Sequence, residues 1–481
     1  MSPELIFVCF IVYSFLLFII GKITSRRANN ESFYIGNKAS TWYVVAYGMI
    51  GASISGVTFV SVPGDVYNSS FSYMLVVAGY LFGYAIIANV LMPLYYKLNL
   101  TSIYTYLKYR FGIFSYKTGS LFFIISRMIG ASFRMFLVIN ILQNFVFAKW
   151  SIPFCVTTLV FIGLILLYTY KGGIKTIIWT DTLQTTLMLL SIIITIFLIA
   201  NEMNISLNEL FNKAYNTPYS KLIITEWQDK RFFLKQFISG IFITIVMTGL
   251  DQDMMQKNLS CRNIKEAKKN MYWMSASLVP VNLLFMTLGL ILYYYAENKG
   301  IILPSFSDGS IATDELYPII ALNHLGHFAG LVFIFGLLSA AYSSADGSLT
   351  ALTTAFSIDI LELSEKKYLN EQQKIKKRYF IHIGMAIIMA VVIMLFKVIN
   401  NRSVIQSLFT IAGYTYGPLL GLYSFGLFSK RQVKDSFVPY ICIISPIICY
   451  ILSINSNEWL SGYKFGFELL VFNGILTFIG L

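Results

Sequence analysis

The sequence predicts an all-α membrane protein with about 13 transmembrane helices. Of its 481 residues, 57% are hydrophobic and only 12% are charged, and the mean hydropathy is +0.68, whereas soluble domains carry about 25% charged residues. Apolar runs of about 20 residues, long enough to cross a bilayer as helices, recur along the whole chain. They lack the alternation of membrane β-strands, so helices are the remaining way to satisfy the backbone in hydrocarbon.

Thirteen apolar runs are the candidate spans. They cover residues 4–21, 43–67, 72–95, 118–147, 151–170, 176–200, 236–256, 273–296, 328–359, 378–397, 403–428, 436–454 and 466–481. The first run has no small-residue cleavage site after it, so we interpret it as a retained helix rather than a signal peptide.

The basic residues indicate an orientation in the membrane. About two thirds of the Lys and Arg residues lie in loops that follow odd-numbered runs. Since cytoplasmic loops are enriched in Lys and Arg, we expect the N-terminus outside, the C-terminus in the cytoplasm, and a multi-pass protein of the bacterial inner membrane. The net charge of +13 is dispersed over short loops. It therefore indicates topology and not nucleic-acid binding.

Several function classes find no support in the residues. The five Cys show no CxxC spacing and do not cluster with the three His, so neither zinc nor a disulfide framework is predicted. No nucleotide-binding glycine loop is present, which argues against an ATP-driven pump. No nucleophile with a matching base stands out, so we expect no enzyme, and no obligatory protein partner is evident.

The second run, "AYGMIGASISGVTFVSVPGDVY", contains residues that weaken a helix at mid-membrane depth. Gly48, Gly51 and Gly56 lie there, and Pro63 with Gly64 predicts a second break. Small residues also permit close packing of membrane helices, which is the alternative interpretation. Unwound helices of this kind supply the midplane ion and solute sites of secondary transporters.

The ninth run contains "GLLSAAYSSADGSLTALTTAF", which is rich in hydroxyl side chains. Ala340, Ser343 and Ser344 have i, i+3, i+4 spacing and share one helix face. Na⁺ is a hard cation that prefers several oxygen ligands. Carbonyls of the broken helix together with these groups would form such a site, if the two helices touch.

Two of the carboxylates within predicted spans are candidate functional groups. Asp346 is deep in the ninth run, and Asp181 is near the start of the sixth. Intramembrane ionisable groups are costly and indicate function by default, although Asp181 could instead reach the interface.

Two arginines share one face of the fourth run. Arg127 and Arg134 are seven residues apart, and Asn140 and Gln143 continue the same stripe. An arginine that faces a cavity binds carboxylates in bidentate fashion. The alternative is a structural ion pair with Asp181 or Asp346.

Three motifs together resemble the sodium:solute symporter family, which includes sugar, proline, iodide, vitamin and sialic-acid carriers. "GGIKTIIWTDTLQ" is similar to the family's GG-x5-WTD-xx-Q signature. "GLDQDMMQKNLSCRNIKEAKK" is similar to its G-x-[DN]-Q motif with a following QR, and "AAYSSADGS" matches its eighth core helix. The three occur in the family's order across nearly the whole chain.

The resemblance implies a LeuT-type fold with two inverted five-helix repeats. It places them at 43–201 and 236–428, after an extra N-terminal helix and loop at 1–42 and before two C-terminal helices at 429–481. It also implies a sodium site as the chain's coupling-ion site. Its ligands are the carbonyls of Gly51, Ile54 and Ala340 and the hydroxyls of Ser343 and Ser344, and Asp181 lies near the sodium route.

The chain departs from the family in ways that bear on the solute. A second sodium in some members uses hydroxyls at positions that are Asp346 and Gly347 here, so Asp346 could hold a second cation or a proton. Met247, Thr248 and Thr58 replace the aromatic residues and the glutamine of sugar carriers, which disfavours a sugar. Sialic-acid carriers use an arginine on the helix that carries Arg134. The expected solute-binding residues are Thr58, Arg134, Asn140, Gln143 and Gln252.

We therefore predict a sodium-coupled symporter that imports a small organic solute, with a sialic acid or another organic anion as the favoured class. The first alternative is a proton-coupled carrier on the same fold that uses Asp346. The second is a transporter-like membrane sensor.

Overall fold

The computed structural model describes residues 2–25, 29–305, 309–399 and 404–481, with the side chains of residues 404–409 left out. Within these ranges the chain is helical, and two isolated β-bridges are its extended pairings. The helices that form the candidate spans and the site are numbered α1 to α15. They are α1 Pro3–Thr24, α2 Trp42–Ser53, α3 Gly56–Ser69, α4 Tyr73–Ile86, α5 Ile113–Phe145, α6 Phe154–Gly172, α7 Ile174–Glu202, α8 Phe233–Thr244, α9 Gln252–Leu259, α10 Ile264–Lys299, α11 Gly326–Ala355, α12 Glu371–Ile399, α13 Val404–Phe428, α14 Val438–Trp459 and α15 Leu469–Gly480.

Nine helical stretches in the described ranges are long and apolar enough to cross a membrane, and one of them, Gly56–Lys97, contains both α3 and α4. The count is ten when the bent pair α8–α9 is taken as one further span. The last predicted span corresponds to α15, whose 12 residues fall short of the roughly 20 that a bilayer requires. The predicted start of the eleventh span, residue 403, lies outside the described residues. The membrane class of the fold is thus clear, and the count of thirteen stays a prediction.

The second predicted span is broken where its glycines and serines predicted a break. α2 ends at Ser53, and α3 begins at Gly56. Between them Ile54 (φ −90°, ψ 89°) and Ser55 (φ −79°, ψ 176°) leave the helical region. The prediction of an unwound segment is confirmed.

The second break predicted in this span, at Pro63 and Gly64, is wrong. α3 continues through both residues. A methyl group at Gly64 would lie 2.2 Å from the Thr313 carbonyl oxygen, and one at Gly289 would lie 2.4 Å from the Pro63 carbonyl oxygen. The pair therefore serves close packing against neighbouring segments.

A further break, between α8 and α9, was not predicted from the sequence. A π-helical turn at Ile245–Gly249 ends α8, and the axis then bends by 65°. The Asp251 carboxylate caps α9 by accepting the N–H groups of Asp253 (2.9 Å) and Met254 (3.3 Å). An aspartate shortly after a glycine is an N-cap signal, so "GLDQD" contained the information.

The outer helices present apolar side chains away from the protein core. On α12, Phe380 is 65% exposed and Ile387 58% exposed, and on α14 Ile443 and Ile447 are more than half exposed. Such a surface is unsuited to water and suits lipid chains. The chain is a multi-pass membrane protein.

Helices α4 and α8 pack closely through paired glycines. A methyl group at Gly240 would lie 2.1 Å from the Val76 carbonyl oxygen, and one at Gly79 would lie 2.3 Å from that of Phe237. Small residues allow such backbone contact between membrane helices.

We expect Gly240→Ala to destabilise the protein by about 1–3 kcal/mol, because the added methyl meets backbone that cannot rotate away. Thermal unfolding in detergent measures this as a lowered midpoint. Gly163→Ala is the matched control, since a methyl at Gly163 meets nothing within 4 Å. Equal midpoints for the two variants would contradict the assignment of a close helix contact.

Candidate functional site

The break between α2 and α3 leaves backbone carbonyls without donors. The last bond of α2 runs from the Ile54 N–H to the Ile50 carbonyl (2.9 Å). None of the described residues beyond α2 itself donates a hydrogen bond to the carbonyls of residues 51–54. Buried carbonyls without partners are costly, so this segment can accept a ligand that supplies positive charge.

The carbonyls at the break between α8 and α9, in contrast, have hydrogen-bond donors. Those of Gly249 and Leu250 accept hydrogen bonds from the hydroxyls of Tyr95 (2.9 Å) and Tyr104 (2.8 Å). The protein closes this break with its own donors. The α2–α3 break is the one left open.

The open break faces helix α11. A methyl group at Gly56 would lie 3.8 Å from the Ala341 Cα, so the start of α3 packs on the segment that carries Ala340, Ser343 and Ser344. All three are buried. The sequence left open whether the two helices touch, and in the structure they do.

Helix α7 completes the same region and brings Asp181 to Ser343. The Ser343 hydroxyl donates to Asp181 Oδ1 (2.8 Å), and the Ser344 hydroxyl donates to the Ala340 carbonyl (3.3 Å). A methyl at Gly48 would lie 3.0 Å from the Asp181 Cβ, and one at Gly51 would overlap the Thr185 side chain. The five predicted sodium ligands thus belong to segments that meet beside Asp181.

A chain of buried charges runs from Asp181 across α9 to α5. Asp181 Oδ2 lies 2.9 Å from Lys257 Nζ, which lies 3.6 Å from Asp253 Oδ1. The other oxygen of Asp253 contacts Arg127 Nη2, and Arg127 Nη1 lies 3.3 Å from Asp251 Oδ2. Lys257 directly follows the seventh predicted span, 236–256, and was counted there as one of the basic loop residues; that placement was wrong, because it lies on α9 and is 1% exposed.

Arg127 is therefore occupied by protein partners. Besides the two aspartates, its Nε donates to the Ser348 hydroxyl (2.9 Å), which donates to the Ser344 carbonyl (2.6 Å). Tyr416 donates to Asp251 Oδ2 (2.9 Å) from the other side. The alternative expected for the arginines, a structural ion pair, holds for Arg127. Its partners are Asp251 and Asp253, however, and not Asp181 or Asp346.

Asp346 is buried and forms no ion pair with the described side chains, although the Lys257 ammonium lies near enough for its charge to act on it. Its Oδ2 accepts from Tyr168 (2.9 Å) and Thr180 (3.4 Å), and its Oδ1 accepts from the Gly347 N–H (2.6 Å). None of the described ion pairs includes it. A buried carboxylate of this kind requires a bound cation or a proton.

A cavity of about 100 Å³ lies beside the open break. Its polar lining consists of the hydroxyl or amide side chains of Ser53, Ser55, Thr58, Tyr73, Tyr80, Tyr84, Thr244, Thr248 and Asn282, together with Arg127 and Arg134. No Asp or Glu is among its described lining residues. The cavity combines hydroxyl groups with one arginine that is free to bind.

That free arginine is Arg134. Its Nε is buried without a hydrogen-bond partner, and none of the described ion pairs includes it. Its helix α5 holds it on the cavity wall, and Thr58 of α3 lines the same cavity. These two of the five predicted solute-binding residues are brought together.

The other three lie elsewhere in the structure. Asn140 accepts from the Lys397 ammonium (2.6 Å). Gln143 bonds the Ile152 carbonyl (2.7 Å) and Thr157, and Gln252 bonds the backbone of Thr101 and Ile103. All three amides are used to hold local structure. The helical stripe that Asn140 and Gln143 share with Arg134 did not show which of its positions face the cavity and which face other parts of the protein.

Sequence reasoning missed Asp251, Asp253 and Lys257 as members of the charge chain. Asp253 and Lys257 have the i, i+4 spacing of a helical ion pair, which was a usable signal. The tyrosines of α4 that line the cavity carried no comparable signal.

Comparisons with known proteins agree with this architecture. The sequence profile of the sodium:solute symporter family matches residues 33–435. The sodium/sialic acid symporter NanT of Aliivibrio fischeri is 25% identical over 98% of this chain and 92% of its own length. The sodium-coupled monocarboxylate transporter 1 of Mus musculus is 26% identical over 83% of this chain and 64% of its own.

Two solved structures share the fold. One is a substrate-bound, outward-open Na⁺-coupled sialic acid symporter, with a TM-score of 0.83 and 22% identity over 98% of this chain and 96% of that chain. The other is a nucleobase-cation-symport-1 family transporter in a closed conformation, with a TM-score of 0.54 and 14% identity over 94% and 93% of the chains. The chain belongs to the sodium:solute symporter family and is a sodium-coupled transporter, not an enzyme.

Proposed function

We propose that this protein imports a small organic anion across the bacterial inner membrane, coupled to the entry of Na⁺. The observation that carries the proposal is Arg134, a guanidinium that no described residue bonds or pairs with, on the wall of a cavity beside the open helix break. A half-buried guanidinium whose Nε is buried without a partner is compensated when a carboxylate binds it. The sialic acid and monocarboxylate transporters among the relatives carry solutes of the same chemistry.

For the coupling ion we propose the carbonyls of Gly51, Ile54 and Ala340 with the hydroxyls of Ser343 and Ser344. Two facts support this ligand set. The carbonyls at the break have no donors among the described residues, and α11 packs directly against the break. Sodium at this position would join the two helices and stabilise the state in which the solute cavity is formed.

Ser343→Ala and Ser344→Ala should each weaken Na⁺ activation of uptake by about tenfold or more, because each removes an oxygen ligand. The measurement is the sodium concentration for half-maximal uptake of labelled solute in proteoliposomes, with K⁺ as the replacement ion. Ser339→Ala is the control, since its hydroxyl bonds the Phe335 carbonyl one turn away. Uptake that is indifferent to replacing Na⁺ by K⁺ would refute the sodium site.

For the solute we propose a carboxylate bound by Arg134, with Thr58 among the hydroxyls that contact the rest of the molecule. The hydroxyl-rich lining without described acidic residues suits a singly charged, polar solute. An amino acid is disfavoured, because its ammonium group would find no carboxylate on the wall.

Arg134→Ala should raise the solute KM by about 30-fold or more, the cost of losing one partner of a buried charged pair. Arg134→Lys keeps the charge without the bidentate fork and should fall between the variant and the parent protein. Uptake is measured with labelled sialic acid and with labelled pyruvate. An Arg134→Ala protein that transports as well as the parent would exclude Arg134 from the solute site.

We further propose that Asp181 and Asp346 contribute to a second cation position next to the first. Asp346 forms no ion pair with the described side chains, and Asp181 shares Ser343 with the first sodium position. A second bound cation would compensate both the carboxylate and the incoming anion.

Asp346→Asn should remove the second cation and make the sodium dependence of uptake hyperbolic, where two coupled sodium ions give a sigmoidal one. Asp359→Asn is the control, because Asp359 is a buried carboxylate beyond the end of α11 that bonds Ser102, Ser120 and Tyr116 instead. Uptake that follows a pH gradient without sodium, and is lost in Asp346→Asn, would replace this proposal by the proton-coupled alternative.

The topology remains part of the proposal. We propose thirteen spans with the N-terminus outside and the C-terminus in the cytoplasm, and inverted repeats at 43–201 and 236–428. Support for the repeats comes from their first helices, since the α2–α3 and α8–α9 pairs are both broken.

A further inference from the structure

The buried charges connect the candidate sodium position to the solute cavity through one continuous chain of contacts. At one end the Ser343 hydroxyl donates to Asp181 Oδ1. At the other end Arg127 lines the solute cavity. Lys257 and Asp253, one turn apart on α9, form the middle of the chain.

This middle section is the part of the chain that can rearrange. The Lys257 ammonium lies nearer to Asp181 (2.9 Å) than to Asp253 (3.6 Å). None of Lys257 Nζ, Asp181 Oδ2 and Asp253 Oδ1 has a hydrogen bond of good geometry in the described structure. Buried charged atoms that are incompletely bonded are costly, so a small change in local charge can shift Lys257 between the two carboxylates.

The mechanical connection also runs through α9. This helix is bent by 65° from α8 and carries both Asp253 and Lys257. The Asp181 partner lies on α7, and the Arg127 partner lies on α5. Movement of α9 therefore alters the contact at the sodium end and the contact at the cavity end together.

We propose that the chain Ser343–Asp181–Lys257–Asp253–Arg127 transmits sodium occupancy to the solute cavity, with Asp253 and Lys257 as positioning residues for coupling. A cation near Ser343 competes with Lys257 for Asp181. Lys257 then shifts toward Asp253, which weakens the hold of Asp253 on Arg127 and alters the charge at the cavity wall. This inference rests on the proposed function and names how its two sites are coupled.

Asp253→Asn is the sharpest test, because it interrupts the chain and leaves each neighbouring cation a carboxylate. Lys257 keeps Asp181, and Arg127 keeps Asp251. The readout is the ratio of solute dissociation constants in K⁺ and in saturating Na⁺, measured on purified protein by calorimetry. The probe is sialic acid, or pyruvate if sialic acid does not bind.

In the parent protein we expect sodium to tighten solute binding by about 5–150-fold. In Asp253→Asn the ratio should fall at least fivefold toward unity, while solute binding in K⁺ stays within about threefold of the parent value, since Arg134 is untouched. The converse, solute tightening of Na⁺ binding, should fall by the same factor because coupling is reciprocal. A ratio that falls less than fivefold would overturn the inference.

Two further variants keep the test decisive. Asp359→Asn removes an equally buried carboxylate outside the chain and should leave the ratio within about twofold of the parent. An equal collapse of the ratio in Asp359→Asn would also overturn the inference.

If Asp253→Asn does not fold, Arg127→Lys replaces it, because lysine lacks the fork that reaches both Asp251 and Asp253 and should lower the same ratio. If solute binding to the parent protein does not depend on sodium, the proposed function itself is refuted. That result differs from failure of the coupling chain, in which the parent protein depends on sodium and Asp253→Asn does so equally.

Discussion

The structure depends on one constraint, which is that polar groups buried in a membrane protein must find partners inside the protein or in a bound ligand. The two broken helix pairs satisfy this constraint in opposite ways. Tyr95 and Tyr104 supply hydroxyl donors to the carbonyls at the α8–α9 break. At the α2–α3 break the described chain supplies none. A cation satisfies carbonyl oxygens where no N–H or O–H is available, which is why we propose the open break as the sodium position.

The same constraint explains why the sequence predicted some of the site and missed the rest. The glycines and serines of the second span weaken a helix locally, and the spacing of Ala340, Ser343 and Ser344 fixes one helix face. Both features are short-range and readable from the chain. The contact between the two segments depends on the packing of Gly56 against α11, which is a long-range property. Family resemblance supplied the pairing that spacing could not.

Lys257 shows the limit of composition-based reasoning. A lysine at the end of an apolar run is ordinarily a loop residue that reports topology, and the sequence placed it there. In the structure it is buried on α9, beyond the 65° bend, where Asp181 and Asp253 compensate its charge. The prediction at Pro63 was wrong in the opposite sense, because a break was expected and the helix is continuous. A proline ring usually interrupts a helix, but α3 continues through it and packs closely on Gly289 and Thr313.

The balance of buried charge gives a physical reason for coupled transport. Four carboxylates, those of Asp181, Asp251, Asp253 and Asp346, meet three cations, Arg127, Arg134 and Lys257, among the described side chains around the site. With all four carboxylates ionised, the cluster carries one negative charge in excess before any ligand enters; a proton on Asp346 is the alternative way to remove that excess. A solute carboxylate at Arg134 would increase that excess, at a cost that rises as water is excluded. Bound cations remove the excess, so anion and cation each lower the cost of burying the other. Arg127 is already surrounded by Asp251, Asp253 and Ser348 and has no charge to spare. If Arg134 holds the solute as proposed, the anion binds there at least cost when cations accompany it.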